Sequence, residues 1–407
     1  MKALTLLVLA ASLAACDRRA DPTYVSRDSA GITLIQGDAK DRWELADSPS
    51  LIIGDVEGDS SYVFHQIIAA LFLPSGSVVV ADQGSKSLRI YSNGQLERTL
   101  GRPGNGPFEF RRVDVASVLG DSVMVYDSDQ SRVSIWAVNG TPIREARIDP
   151  GIAVEAINGR GRLLGITTVH MSEYRSPGTI ENPATVIRLG RNGEVEDSLV
   201  VLPYSERLVR TDGRSTAAFA LPFGRFGMLV ASEDGFCYSY GYVVEVRCFG
   251  ETGHPTTITR VTTTPREISA DQKTDFAEWF SSFVMDSAGR AVVRKRFIEQ
   301  WSYPKYSPAV ASLMVDRLGC IWLEEYKRPR LGSDDWYSKE AQGTGHWLVL
   351  DKRKAPVARV VTPAAFAPTD IGRDIMIGIW RDEVGVQTIR AFQLARSDLA
   401  AKAGYCA

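Results

Sequence analysis

The sequence repeats with a period of about 45 residues, and a repeat of this length restricts the fold more than any other feature of the chain. Val78–Asp82 aligns with Val123–Asp127, and the same offset of about 45 residues carries Leu88–Tyr91 onto Val133–Trp136. The aligned segments are short, rich in β-branched or aromatic residues, and separated by Gly or Asn turns. Each repeat therefore predicts four antiparallel strands.

A four-stranded unit of this size cannot bury both of its faces alone and must stack on neighbours, as the blades of a propeller do. The chain from residue 31 to 396 divides into six such units, near 67–101, 113–148, 152–202, 219–263, 310–362 and 366–396. The last unit is short by about one strand, and we predict that Ile32–Gln36 supplies it. The predicted fold class is all-β, a six-bladed β-propeller with one inserted amphipathic helix.

The inserted helix is predicted within residues 265–303. Ser269 and Gln272 have the spacing of a capping box, in which each side chain satisfies a free backbone N–H group at the helix start. Aromatic residues follow at helical spacing and form one apolar face, which comprises Phe276, Trp279, Phe280 and Phe283. This face must dock on the rim of the propeller or form a lid over its central channel.

Gly101–Phe110 has the glycine spacing of a phosphate-binding loop but not its chemistry. Pro107 and Phe108 stand where Lys and Ser or Thr would bind phosphate and magnesium, and β structure rather than a helix follows. A second copy of the segment, from Ile53 to Ile67, lies one unit earlier. The sequence therefore predicts a connector between units, in which glycines allow positive φ.

Gly104–Phe110, with Val79–Asp82 upstream, resembles the inter-blade signature of six-bladed β-propellers of the NHL-repeat type. This sequence has Phe108 where the family pattern usually has Gly. The resemblance implies the propeller fold, and such propellers occur as bacterial lipoproteins. It implies no activity, because some of these propellers are binding platforms and others are enzymes.

The N-terminus has the pattern of a secretory signal, with Lys2 before an apolar run from Ala3 to Ala15 that is too short to span a bilayer. Leu13–Cys16 resembles the bacterial lipobox, which implies cleavage before Cys16 and acylation of that cysteine. Cys16 would then hold the protein to the lipid bilayer. An ordinary cleaved signal with an incidental cysteine is the alternative.

These features predict the following organisation: a lipoprotein signal peptide at 1–15, a lipidated tether at 16–30, the propeller at 31–396 and a C-terminal tail at 397–407. The predicted location is the bacterial cell envelope, at the periplasmic face of the inner or outer membrane.

An exported protein can form disulfides. Cys237 and Cys248 lie on successive predicted strands and are the favoured pair, with free buried thiols as the alternative.

Few residues suggest catalysis. The four histidines form no close pair, and no nucleophile elbow of the G-x-S-x-G type is present. Asp82, Asp127 and Asp316 recur near turns, and this recurrence predicts that Asp82 and Asp127 cap the backbone. Calcium-dependent propeller lactonases use acidic channel residues, so Ca²⁺ is the one cofactor to consider; otherwise no metal site and no cofactor are predicted.

A group of aromatic residues in or beside the insertions gives the candidate ligand-binding set, which comprises Trp279, Trp301, Tyr303 and Trp336. These rings could form a platform for a sugar or a peptide, or they could pack between the blades and the insertions.

Lys and Arg number 47 against 49 Asp and Glu, so the net charge of the protein attracts no nucleic acid.

The function favoured by these observations is a non-enzymatic binding or assembly platform for a protein or envelope ligand. The alternative is a metal-dependent hydrolase or lyase, with calcium as the metal, whose site lies in the propeller channel.

Replacement of Cys16 by Ala tests the anchor. Without the thiol no lipid can be attached, so we expect the protein to leave the membrane fraction, as measured by fractionation and immunoblotting. Retention of the Cys16→Ala protein in the membrane fraction would show that the lipobox was misread.

Overall fold

The structure is a computed structural model, and it describes residues 24–55, 58–157, 161–168, 174, 176–211, 216–282, 287–289, 291–292, 295, 301–326 and 344–397. The predicted signal peptide, Cys16, Phe283 and Trp336 lie outside these ranges.

The described chain is nearly all β, and its longest helix is α1 (Ala270–Ser282). The strands are β1 (Tyr24–Ser29), β2 (Ile32–Gly37), β3 (Asp41–Leu45), β4 (Leu51–Ile53), β5 (Ile67–Phe72), β6 (Val78–Asp82), β7 (Ser87–Ser92), β8 (Gln95–Leu100), β9 (Val115–Leu119), β10 (Ser122–Asp127), β11 (Arg132–Ala137), β12 (Pro142–Arg147), β13 (Ala153–Ile157), β14 (Leu163–Thr168), β15 (Gly178–Leu189), β16 (Val195–Thr211), β17 (Thr216–Ala220), β18 (Met228–Ser232), β19 (Gly235–Ser239), β20 (Glu245–Gly250), β21 (Pro255–Arg260), β22 (Val310–Val315), β23 (Ile321–Glu325), β24 (Gly345–Leu350), β25 (Pro356–Thr362), β26 (Phe366–Ile371), β27 (Ile375–Arg381) and β28 (Gln387–Ala395).

These strands form five hydrogen-bonded sheets in the described part of the chain. Two have four strands, β5 to β8 and β9 to β12, and each corresponds to one repeat of the sequence. The third contains β13 to β17, and the fourth contains β18 to β21 with β2 and β1 added at its outer edge. The fifth sheet has nine strands in two antiparallel groups. One group is β22 to β25, and the other is β26 to β28 with β4 paired to β28. Strand β3 lies between the two groups and joins them.

The N-terminal strands complete and link groups that come much later in the chain. The prediction that Ile32–Gln36 completes the last unit is wrong, because this segment, in β2, pairs in parallel with β21. It is β4 that pairs with β28. The reason is the position of β4 in the chain. In the repeat at β5 to β8, the fourth strand, β8, leads directly into the connector at Gly101, and β4 leads in the same way into the connector at Gly54. Strand β1 lies within the predicted tether and pairs with β2.

The second strand of each group is buried on both faces, which explains its unbroken apolar sequence. In β6, Val78 and Val80 pack on residues of β27 and β28, whereas Val79 packs on Val123 of β10. In β23, Trp322 packs towards β27 while its neighbours Ile321 and Leu323 pack towards β19 and β20. Each apolar cluster between sheets therefore joins two consecutive groups.

The connections between strands differ sharply at the two ends of the groups. The turns from the first to the second strand and from the third to the fourth are each about five residues or fewer. The connections at the opposite end include residues 54–66, 101–114, 169–177, 261–309 and 326–344. We call these ends the short-turn face and the long-loop face.

The connector at Gly101 is packed scaffold. Phe110 is fully buried between the first two sheets, and a Cβ at Gly101, where φ is +70°, would lie 2.2 Å from the Phe110 ring. Phe108 adopts a left-handed φ of 57°, which explains the glycine usual in the family pattern, and its ring contacts Trp136 at 5.1 Å between centroids. Glu109 accepts a hydrogen bond from the Gly106 amide at 2.8 Å.

Cys237 and Cys248 face each other on the adjacent strands β19 and β20 and form a disulfide. Both side chains lie in the apolar cluster between the fourth sheet and β22 to β24. Cys320 is also disulfide-bonded, so a reducing agent would not test the first bridge alone.

The double variant Cys237→Ala/Cys248→Ala tests the contribution of this bridge to stability. The bridge closes a loop of sequence separation 11, so its loss should lower the free energy of unfolding by about 2 to 3 kcal/mol. Urea denaturation followed by circular dichroism measures the change. An unchanged unfolding midpoint would contradict the expectation.

Candidate functional site

In the described part of the chain, the long-loop face carries the long connections between strands and the helix α1. Besides the long connections, strands β15 and β16 extend beyond their sheet, where Gly178 pairs with Val209 and β17 adds a third strand. We call residues 178–182, 205–211 and 216–220 the three-stranded extension. Because a scaffold needs only short turns, side chains presented on this face are the first candidates for function.

Helix α1 begins with the predicted capping box. Ser269 Oγ accepts the Gln272 amide hydrogen at 3.1 Å, and Gln272 Oε1 accepts that of Ser269 at 3.0 Å. The buried ring of Phe276 and Ala277 pack in a cluster with Phe223, Ile268, Ala311 and Tyr326. Since Ala311 belongs to β22, the first strand of its group, the helix docks at the start of that strand on the long-loop face.

Three residues of the predicted ligand-binding set, Trp279, Trp301 and Tyr303, lie around this helix and pack partly buried against its cluster. The Tyr303 ring lies 6.0 Å from Phe223, and Trp301 lies 6.0 Å from Phe219 of the extension. The structure thus brings these three rings together, and their role in ligand binding stays a prediction. Trp336 lies outside the described residues.

Exposed phenylalanine rings are concentrated on the long-loop face. Phe219, Phe226 and Phe280 are 43%, 49% and 37% exposed, and they lie on β17, on the connector after it and on α1. Elsewhere, exposed aliphatic side chains such as Ile143 are spread over the outer strands. Aromatic rings contribute strongly to protein interfaces, so this face is the candidate binding surface.

Arg225, which precedes Phe226 in the chain, is the centre of a charged and aromatic cluster. Its guanidinium donates to Glu206 Oε1 at 2.7 Å, and its amide donates to Glu206 Oε2 at 2.8 Å. The same guanidinium lies over the rings of Tyr240 and Tyr242, at 4.6 and 4.8 Å from their centroids. Tyr240 in turn donates to Glu181 at 3.0 Å.

The electrostatics of this cluster favour a permanent charge on Arg225. Burial opposes that charge, but the hydrogen bond and the attraction from Glu206 outweigh it and raise the pKa of Arg225. Burial raises the pKa of Tyr240 and Tyr242, so both hydroxyls stay protonated and donate. The cluster therefore fixes the extension to the β19–β20 connection rather than offering a titratable group.

A second polar pair lies beside the first strand of the third sheet. The Tyr204 hydroxyl donates to Glu155 Oε1 at 3.0 Å. Burial raises the pKa of the Glu155 carboxyl, and the hydrogen bond from Tyr204 offsets part of that rise. Burial also raises the pKa of Tyr204. This is a carboxyl group whose charge is controlled by its surroundings, which is a common property of functional residues.

The recurrent aspartates hold the backbone. Asp82 Oδ1 accepts from the amides of Gln66 and Gly84, and Asp127 Oδ2 accepts from the Arg111 amide. Asp316 accepts from the Cys320 amide on the short-turn face. Within the described residues, no group of three His, Cys, Asp or Glu side chains is placed to hold a metal ion.

Sequence reasoning missed Glu155, Tyr204, Glu206 and Arg225. None belongs to a motif that the sequence analysis recognised. Their contacts join β13, β16 and the β17–β18 connector, which are far apart in the sequence. One signal was available: Pro222–Phe226 is a third version of the connector, with Phe223 at a left-handed φ of 59° as Phe108 has 57°. That alignment would have placed Arg225 at the start of a unit, on the long-loop face.

The comparisons with known proteins identify the fold and no family. The structure is similar to a member of the DUF4221 family from Bacteroides vulgatus, with 10% identity, a TM-score of 0.51, and coverage of 88% of this chain and 100% of that chain. Regucalcin from Agrobacterium tumefaciens, described as a calcium-binding protein, gives 10% identity, a TM-score of 0.41 and coverage of 88% and 97%. Virginiamycin B lyase from Staphylococcus aureus gives 10% identity, a TM-score of 0.38, and coverage of 83% of this chain and 97% of that chain.

These solved structures are propellers, and the protein has a β-propeller fold. No protein-family model matches the sequence, and no curated protein matches it. Among the described helices, none is both long enough and apolar enough to cross a bilayer.

Two glutamates of the Arg225 cluster provide a matched test of its role. The Glu206 side chain is 9% exposed and that of Glu181 is 45% exposed. Glu206→Gln should lower the free energy of unfolding by about 2 kcal/mol, because it leaves a partly buried guanidinium without its main partner. Glu181→Gln should cost less than about 1 kcal/mol. Equal losses in thermal or urea unfolding would contradict this account.

Proposed function

We propose that this protein is an envelope β-propeller of six blades that binds a protein or other envelope ligand on its long-loop face and performs no catalysis. The observation that carries the proposal is the placement of α1, the three-stranded extension and the exposed rings of Phe219, Phe226 and Phe280 on one face of the described propeller. A scaffold alone needs neither feature, since short turns join its strands adequately at the other face.

The six-blade count is supported by how the antiparallel groups contact each other. The nine-stranded sheet supplies two groups and each other sheet supplies one. First strands contact in the order β26, β5, β9, β13, β18 and β22. The apolar cluster that contains Ile53, Ile377 and Val80 joins the last group to the first. Such an arrangement leaves no group with an uncovered apolar face.

The type of binding follows from the chemistry of the long-loop face. The Phe226 ring contacts Tyr204 in a tilted arrangement at 4.7 Å between centroids, and the preceding residue, Arg225, is held by Glu206. Aromatic rings that rest on a rigid polar base lose little conformational entropy on binding, and interfaces favour this combination. We infer that a protein segment or another envelope ligand covers these rings.

Acylated Cys16 would hold this surface close to the membrane. With the lipid chains in the bilayer and residues 16–30 as a tether, the propeller would face the periplasm from the inner or the outer membrane. Attachment raises the effective concentration of the binding face for partners that share the same membrane.

Site-specific photo-crosslinking in cells tests the binding face. A photoreactive phenylalanine analogue at position 226 or 280 should give a discrete higher-mass adduct, because those rings would be covered by the ligand. The same analogue at Ile143, which is 54% exposed on the outer strand β12, is the matched control and should give none.

The outcomes that would overturn the proposal are equally specific. Absence of adducts at both positions 226 and 280, or equal adducts at position 143, would show that the long-loop face binds nothing selectively. Turnover of a lactone or glycoside panel by the purified protein, abolished by EDTA and restored by Ca²⁺, would favour the hydrolase or lyase alternative.

A further inference from the structure

We propose that Glu155 and Tyr204 form a binding site for an ammonium or guanidinium group, at the point where the long-loop face meets the first strand of the third sheet. The site deepens the binding function proposed above, because it names the chemical class of one group that the ligand presents. It rests on the placement of the two side chains, on their burial and on the charges around them.

Irregularities in both strands place the two residues together. Val154 pairs with Gly165 and Ala156 pairs with Leu164, so Glu155 is an extra residue in β13. Pro183 pairs with Pro203 and Asn182 pairs with Ser205, so Tyr204 is an extra residue in β16. A β-bulge redirects the side chain of the extra residue, and bulges are frequent beside binding sites. Here, two bulges direct two polar side chains towards each other.

The Glu155 carboxylate has no cationic partner within the described part of the chain. Tyr204 is its hydrogen-bond partner there, at 3.0 Å, and no salt bridge of Glu155 occurs among the described residues, in contrast to Glu206, which binds Arg225. Glu155 is half-buried. A half-buried carboxylate without a counter-ion is costly to keep charged, and a ligand cation would remove that cost.

The groups that face this carboxyl from neighbouring elements are mostly neutral or acidic. Tyr204 on β16 donates to the carboxyl, and Tyr126 on β10 is close enough to interact with its charge. The charges of Asp114 and Asp127 also act on Tyr126, and Arg207 and Tyr238 act on Tyr204. Asp114 is bound by Arg112 at 2.5 Å. Acidic and phenolic neighbours disfavour an anionic ligand.

The aromatic surroundings favour the same class of ligand. Tyr204 contacts the ring of Phe226, which is 49% exposed. A cation near an aromatic face is attracted by the electrons of the ring, and a carboxylate beside the ring adds a direct ion pair. Lysine and arginine side chains of a partner protein, and free amines, carry the required group.

The pH dependence gives a sharp signature of the site. Burial raises the pKa of the Glu155 carboxyl, and the Tyr204 hydrogen bond lowers it in part. A cation binds the ionised carboxylate, so the affinity should be constant above the pKa of Glu155 in the free protein. Below that pKa the affinity should fall tenfold per pH unit.

The experiment titrates the full-length protein with Nα-acetyl-lysine methylamide, with the Nε-acetylated analogue as the uncharged control probe. NMR of ¹³C-labelled glutamate carboxyl groups reports binding at Glu155. We expect saturable binding of the charged probe, with a Kd at least tenfold weaker in Glu155→Gln and unchanged in Glu181→Gln. Equal binding of both probes, or unchanged binding in Glu155→Gln, would overturn the proposal.

Tyr204→Phe separates binding from a structural role. It keeps the ring but removes the hydrogen bond that lowers the pKa of Glu155, so the midpoint of the pH dependence should move to higher pH. A midpoint that stays in place would overturn the proposal. Crosslinks from position 280 do not depend on Glu155, so they distinguish failure of this site from failure of the proposed binding face.

Discussion

The structure depends on one constraint: the second strand of each four-stranded group is apolar on both faces and must be covered on both sides. In β6 alternate valines pack on different neighbouring sheets, and in β23 Trp322 and Ile321 do the same. A linear stack of such groups would leave two apolar faces in water, at about 25 cal/mol for each Å² exposed. Packing of the last group on the first, in the cluster that contains Ile377 and Val80, covers both of these faces, and β4 adds an N-terminal strand to the last group.

Closure of this kind also gives the molecule two different ends, the short-turn face and the long-loop face. Turns on the short-turn face are limited by strand geometry, whereas the long-loop face tolerates insertions because its connections already cross from one group to the next. The helix, the three-stranded extension and the Arg225 cluster all occupy that face. Arg225 donates to Glu206 of the extension, and Tyr204, two residues before Glu206 on the same strand, donates to Glu155.

The fold could be predicted from local patterns, because the repeated apolar runs and glycine turns report short-range chain geometry. The capping box at Ser269 formed as predicted, since it involves contacts only three residues apart. The strand that completes the last group was assigned wrongly, because pairing between β4 and β28 joins segments more than 300 residues apart and leaves no periodic signal. The roles of Glu155 and Arg225 were missed for the same reason.

The sequence by itself determined the repeating β architecture, the connectors and the position of the helix, because each depends on residues close together in the chain. The tertiary structure decided which N-terminal strand joins which sheet and which end of the sheets carries the insertions. It also decided that a carboxylate on β13 meets a tyrosine from a bulge in β16. Those features depend on burial and charge between distant segments, and such properties exist only once the sheets have packed together.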